Sequence, residues 1–257
     1  MRSGTQPATN SGSMSEDQIY KSNEGTEPFR FDDRVAQVFP DMLRRSIPGY
    51  GASLEAIGSL AARYVIAGTN CYDLGCSLGA ASIAMRQGIR EAGCRVVAVD
   101  SSEAMIERCR KVVAAETQPT DVMTDIDFVL GDILEVEIAN ASMVVLNYTL
   151  QFVEPGDRDA LLRSICGGMN SGGILVLSEK VVDENPEMES LLVDLHHEHK
   201  RRNNYSALEI SRKRAALENV LIPETVAAHR ARLRDAGFSH SAVWLRFFNF
   251  VSIVALR

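Results

Sequence analysis

The stretch Asp73-Leu74-Gly75-Cys76-Ser77-Leu78-Gly79 decides how this chain is read. The apolar run Asn70–Leu74 before it predicts a short buried strand, and the pattern over 80–92 predicts a helix after it. Glycine at a strand-to-helix turn lets backbone approach a ligand closely, and the helix that follows presents free amides. A dinucleotide fingerprint reads G-x-G-x-x-G. Here the spacing is G-x-x-x-G, with an acid two residues before the first glycine. That departs from a pyrophosphate cradle and fits a ligand whose polar end is an amino acid. The competing reading of the turn alone is a tight connection with no ligand.

Working outward, the next three strands also end on polar residues. The run 95–99 predicts a strand closed by Asp100, 25 positions after Gly75. An acid near that place accepts hydrogen bonds from ribose hydroxyls in nucleoside-binding folds; capping of the following helix, 102–115, is the other use, and Ser101 and Ser102 compete for it. The run 126–130 is a strand ending at Gly131-Asp132, where a carboxylate can accept from an adenine amino group. The run 142–146 is a strand ending at Asn147. Four polar strand ends on one edge of a parallel sheet make a crevice for a nucleoside cofactor, and the amino-acid end indicates S-adenosyl-L-methionine.

Strands and helices go on alternating, with a helix over 158–169 and a strand over 173–177. This rhythm gives an α/β fold with a doubly wound, mostly parallel sheet, Rossmann-like in plan. The region 183–236 is mainly helical and forms an insertion. It precedes two closely joined strands, 242–248 and Phe250–Leu256, which read as a C-terminal antiparallel hairpin. Upstream, Val35, Val38, Phe39, Met42 and Leu43 recur at helical spacing. That helix should break at Pro48-Gly49, with Tyr50 on the turn and a second helix over 53–64. Residues 1–28 are polar and nearly without apolar side chains, so they are expected to form a disordered leader outside a single domain, 29–257.

The whole chain has 257 residues, 46% of them hydrophobic, which suffices for one sizeable core. Its formal charge is -7, which argues against direct nucleic-acid binding, since phosphate contacts need a basic face. No run of 18 apolar residues suggests a membrane span, and no apolar leader suggests secretion. Five cysteines without C-x-x-C spacing read as reduced thiols of a cytoplasmic protein, and a zinc site is not expected.

Beyond these patterns, Phe31-Asp32-Asp33-Arg34-Val35-Ala36, Val38-Phe39-Pro40-Asp41-Met42 and Pro48-Gly49-Tyr50 resemble runs of the carboxy-S-adenosyl-L-methionine synthase family. So do Tyr72 to Ala80 around the glycine turn, Ala104-Met105-Ile106-Glu107-Arg108-Cys109-Arg110, Leu177-Ser178-Glu179-Lys180 and Phe248-Asn249-Phe250. The resemblance covers 31–257 and implies the class I methyltransferase-like fold. It also implies conversion of S-adenosyl-L-methionine and prephenate into carboxy-S-adenosyl-L-methionine and phenylpyruvate. The product would go to a tRNA carboxymethyltransferase that modifies a wobble uridine, and the enzyme would be a homodimer. By the same resemblance Tyr50, Gly75, Cys76, Ser77, Asp100, Ser101, Asp132, Ile133, Asn147 and Arg214 line the cofactor site, with Tyr50 and Arg214 in catalytic roles. The position of Ser101 is often Asn in the family.

The chemistry agrees with these residue types. A sulfonium acidifies its methyl group, and the carboxyl placed there needs a fixed cation. Arginine grips a carboxylate with two parallel bonds, and Arg214 is the candidate, against its reading as a solvated helix residue. Lys200, Arg201, Arg202 and Lys213 lie nearby in sequence and read equally as a charged surface. His196 and His199 share a helix face, yet no H-E-x-x-H completes a metal set. Cys76 reads as a small residue of the turn rather than a nucleophile. The alternatives are a methyltransferase of a small molecule or tRNA, or a non-catalytic module that binds S-adenosyl-L-methionine.

Overall fold

The computed structural model describes residues 16–21, 29–116 and 122–257. Seven strands form one sheet: β1 (Asn70–Leu74), β2 (Arg95–Asp100), β3 (Asp125–Leu130), β4 (Ala141–Asn147), β5 (Met169–Lys180), β6 (His240–Phe247) and β7 (Phe250–Leu256). Their order is β3-β2-β1-β4-β5-β7-β6, with β1 to β5 parallel and β7 antiparallel to both neighbours. The chain therefore reverses direction of winding between β1 and β4, the place where doubly wound sheets open a crevice. The expected fold and terminal hairpin are both present.

Among the described residues eight α-helices accompany the sheet: α1 (Asp33–Ser46), α2 (Tyr50–Tyr64), α3 (Ala80–Gly88), α4 (Glu103–Ala115), α5 (Arg158–Gly168), α6 (Pro186–Arg202), α7 (Ala207–Leu217) and α8 (Val226–Ala236). β4 is buried on both faces, as a central parallel strand must be. On one face Leu146, Leu175 and Leu177 pack with Leu161, Leu162 and Ile165 of α5 and Leu233 of α8. On the other, Val145 and Val176 pack with Ile57 of α2 and Met85 of α3. Each such side chain stabilises the fold by roughly 1.5–3 kcal/mol.

Local chemistry sets the helix starts. Asp32 caps α1 by accepting from the Val35 amide at 3.0 Å. Ser102, rather than Ser101, caps α4. Ser206 and Glu209 form a reciprocal capping box on α7. Several boundaries differ from expectation. Gly49 adopts φ of 77°, so the turn is complete there and α2 starts at Tyr50, which is a helix residue and not a turn residue. α3 ends at Gly88 instead of 92, and β5 runs to Lys180, well past 177.

A larger correction concerns the leader. Residues 16–21 lie against the domain, with Asp17 only 1% exposed. The Asp17 carboxylate accepts from the Tyr205 hydroxyl at 2.5 Å, and its amide donates to Asp41 at 2.9 Å. Ile19 and Tyr20 pack on the cluster of Phe29, Val35 and Phe39. Hydrogen bonds and charge act beside these two apolar side chains, which are too few for an apolar count to reveal the segment. The rest of the expected leader, 1–15 and 22–28, lies outside the described residues.

Candidate functional site

The carboxyl ends of β1, β2 and β3 are stitched together by backbone bonds, and Tyr148 after β4 donates to Ser178 O of β5 at 2.8 Å. Gly75 and Cys76 both donate to Val99 O of β2, at 2.9 and 2.8 Å. Gly131 donates to Asp100 O at 3.0 Å. Gly75 has φ of 79°, and a Cβ there would meet the Thr149 hydroxyl at 2.6 Å, so the turn admits only glycine. Ser77 and Tyr148 are non-glycine residues held at positive φ, 49° and 64°, one on each side of the crevice.

Asp73 and Asn147 end β1 and β4, the two strands flanking the reversal. Asp73 accepts from the Ser82 hydroxyl at 2.6 Å through one oxygen, and its other oxygen is buried without a partner. Burial raises its carboxyl to about 6 against the Ser82 bonds. Asn147 Oδ1 is buried and unpartnered too. Buried acceptors left open are uncommon and call for a donor. The α-amino group of an amino acid supplies one, so this pair of acceptors fits S-adenosyl-L-methionine bound with its methionine end here.

Asp100 accepts from the Ser77 amide at 2.8 Å and the Ser102 amide at 2.9 Å, one through each oxygen. Burial raises its carboxyl despite these bonds. The carboxylate thus ties the glycine turn to β2 and keeps a second lone pair on each oxygen for ribose hydroxyls. Ser101 beside it is exposed. Asp132 is exposed as well, and its Oδ1 accepts from Leu134 N at 2.9 Å. Ile133 packs on the edge of the main core cluster and offers an apolar surface next to that carboxylate.

Tyr50 stands across the crevice. Burial pushes its phenol above its usual range, and the charge of Asp73 and then Tyr148 push the same way. Its ring centroid lies 6.3 Å from that of Tyr148, which in turn meets Phe250 at 6.0 Å. Arg214, in the last turn of α7, is exposed and has no ion pair among the described residues. Burial lowers Lys180 and His197 and the charge of Arg214 adds to this, and its neighbour Lys213 reaches Ser46, the residue whose carbonyl meets His196 of α6.

The other sequence candidates resolve simply. His196 bonds Ser46 O at 2.9 Å, and His199 bonds Asn203 at 3.1 Å. Among the described residues no group of three His, Cys, Asp or Glu could hold a metal ion. The Cys109 thiol, followed by burial, pushes the Cys76 thiol up, opposite to what a nucleophile needs. Sequence reasoning missed the end of β5. The polar strand-end rule that found Asn147 reaches Ser178, Glu179 and Lys180 once that strand is followed to its end, since Asn147 pairs with Ser178.

Comparison with known proteins agrees with this geometry. Residues 72–173 match the family model described as a methyltransferase domain. The carboxy-S-adenosyl-L-methionine synthase of Geobacter sp. strain M21 is 54% identical over 229 residues, 89% of this chain and 93% of that protein. The Salmonella agona protein of the same name is 55% identical over 227 residues, 88% of this chain and 90% of its own. Among solved structures, human N-acetylserotonin methyltransferase in complex with S-adenosylmethionine aligns at a TM-score of 0.59 with 18% identity. That alignment covers 93% of this chain and 57% of the human one. A Methanococcus maripaludis protein described as an S-adenosyl-L-methionine-dependent methyltransferase aligns at 0.57 with 22% identity, over 90% of this chain and 95% of its own. The structural likenesses establish the fold.

Proposed function

The chain belongs to the carboxy-S-adenosyl-L-methionine synthase family, and on that premise we propose that it converts S-adenosyl-L-methionine and prephenate into carboxy-S-adenosyl-L-methionine and phenylpyruvate. The observation that carries this over ordinary methyl transfer is the 54% identity to a protein of that name across 89% of the chain. The reaction balances without an oxidant. Prephenate gives up its ring carboxyl group as a carbon dioxide unit, which forms a bond to the methyl carbon of the sulfonium. The proton lost from that methyl and the ring hydroxyl leave together as water.

Each group of the site has a part in this. The open oxygens of Asp73 and Asn147 hold the ammonium of the substrate, and the amides at the start of α3 suit its carboxylate. Asp100 takes the ribose, with Asp132 and Ile133 beside the adenine. Tyr50 closes the crevice over the sulfonium. Arg214 grips the new carboxylate as a planar fork, and a cation at that place favours the carboxylated product over the plain sulfonium.

As a further part of the proposal, the enzyme works as a cytoplasmic homodimer and passes its product to a tRNA carboxymethyltransferase. All five cysteines are free and buried, in keeping with a reducing compartment. No helix of the described residues is long and apolar enough to cross a membrane.

The test is to purify the protein, denature it and weigh the released small molecule. S-adenosyl-L-methionine with one hydrogen replaced by carboxylate supports the proposal. Plain cofactor that stays unchanged after prephenate is added overturns it. Arg214→Leu should abolish carboxylated product while S-adenosylhomocysteine still binds; intact turnover would remove Arg214 from its role.

A further inference from the structure

We propose that Lys180 and Lys200, together with Arg214, form the site that receives the carboxylates of the second substrate, a dianion. This rests on the synthase reading above. Two lysines of the insertion helices are buried, and they differ in one respect. Lys213 on α7 donates to Ser46 Oγ at 2.9 Å and lies 3.6 Å from Asp17. Lys200 on α6 is 8% exposed, and among the described residues its ammonium has neither an acceptor nor an ion pair. A largely buried lysine whose ammonium meets no acceptor is held at a cost, and a ligand carboxylate would offset it.

Lys180 ends β5, next to the strand that carries Asn147. Its amide donates to Gln151 Oε1 at 3.0 Å, which fixes the strand end, and its half-buried ammonium has no acceptor among the described residues either. Lys180 pairs with Phe250 of β7, whose ring centroid lies 4.7 Å from that of His196, one turn before Lys200, so α6 brings Lys200 to the end of β5. Burial, then Lys213 and Lys180, pull Lys200 down to about 7. Burial pulls Lys180 down too, as does Arg214, with Glu189 acting the other way.

The groups facing this cluster are few. His196 and His197 of α6 both feel Lys200, and burial is the main cause of lowering in each, so they bring no counter-charge. Asp17 is taken by Tyr205 and Lys213, while Glu189 already accepts from the Asp183 amide at 2.8 Å. Four cations thus gather beside the crevice with two occupied carboxylates, in a chain whose net charge is -7. Separate ammonium groups on β5 and α6, with a guanidinium on α7, suit a small molecule bearing two carboxylates. Its arrival restores full charge to Lys200, so binding takes up a proton above neutral pH.

The experiment compares the full chain with Lys200→Met and Lys180→Met, each keeping the apolar stem and losing the charge. Product formation is followed against prephenate concentration, S-adenosylhomocysteine affinity is titrated separately, and thermal melting confirms folding. The expected result is a KM for prephenate raised at least tenfold in each variant, with S-adenosylhomocysteine affinity within twofold. Proton uptake on prephenate binding at pH 8, read by calorimetry in two buffers, should vanish in Lys200→Met. A KM within twofold of the parent in both variants overturns the site. If the parent makes no carboxylated product, the synthase reading fails on its own, and the site is judged by prephenate binding to the protein loaded with S-adenosylhomocysteine. Binding that Lys200→Met loses upholds it; no binding, or equal binding, overturns it.

Discussion

Asp73 shows how one buried side chain carries both a cost and a function. Burial raises its carboxyl to about 6, above the ordinary 3.8. The folded state therefore holds this proton more tightly between those values, and the stability owed to Asp73 falls as pH rises through that window. Cofactor binding has the opposite sign, because only the ionised form attracts an ammonium. Affinity for S-adenosylhomocysteine should weaken as pH drops below about 6. Asp73→Asn keeps the shape and the Ser82 bond but removes the charge. It should raise Kd by about 10- to 100-fold, roughly 1.4–2.8 kcal/mol, in the range of a hydrogen bond to a charged group. It should also flatten the pH profile without lowering the melting temperature. Calorimetric titration of the apo protein from pH 5 to 8 decides this. A variant that binds as tightly as the parent would mean that the ammonium lies elsewhere.

At the scale of elements, the segment 16–21 acts as a clasp on α1 and α7. Arg45 of α1 donates to Asp17 O at 3.3 Å and to Asn203 O and Asn204 O at 2.7 and 2.8 Å. Arg212 of α7 reaches Tyr20 O at 3.2 Å. Asp17→Ala leaves Lys213 buried without its carboxylate and should cost about 2–4 kcal/mol, somewhat less than a broken buried pair because Lys213 can shed its proton. Asp17→Asn keeps an acceptor for Tyr205 and should cost less. Urea unfolding ranks the two, and equal loss would show that the charge contributes nothing. This clasp was not legible in the sequence, whereas the parallel sheet was. Uninterrupted apolar strands and the Gly75 turn are local signals, each readable without its neighbours. Asp17 finds its partners 24 and 188 residues away, and no local pattern records that. The site divides the same way. Asp100, Asp132 and Asn147 follow from strand ends, while the open lysine of α6 depends on which of several neighbouring cations meets a carboxylate.

Across the whole molecule, charge sets the acid limit and bears on whether tRNA binds. Arg158 is fully buried and pairs with Glu224 at 2.5 Å, while Arg232 grips Glu224 and Asp159. This network ties α5 to α8. Burial opposes ionisation of Glu224, but bonds from Arg232 and Arg158 overcome it and hold the carboxyl down at about 2. Its stabilisation is therefore fully present above the ordinary 4.5 and is lost as pH falls toward 2. Glu224→Gln should unfold at a higher pH than the parent in an acid titration followed by circular dichroism. The sequence carries a formal net charge of -7, and that bears on tRNA. A protein that clamps several phosphates loses about a thousandfold in affinity or more between 50 and 200 mM salt. A chain of net charge -7 is poorly suited to clamp phosphates in that way. On the proposed function, its product, a small sulfonium, would travel to a separate enzyme that holds the tRNA. At physiological salt, tRNA should bind more weakly than about 100 µM, the weak end of non-specific binding. Fluorescence titration at two salt concentrations checks this, and micromolar binding with a steep salt slope would place tRNA on this protein itself.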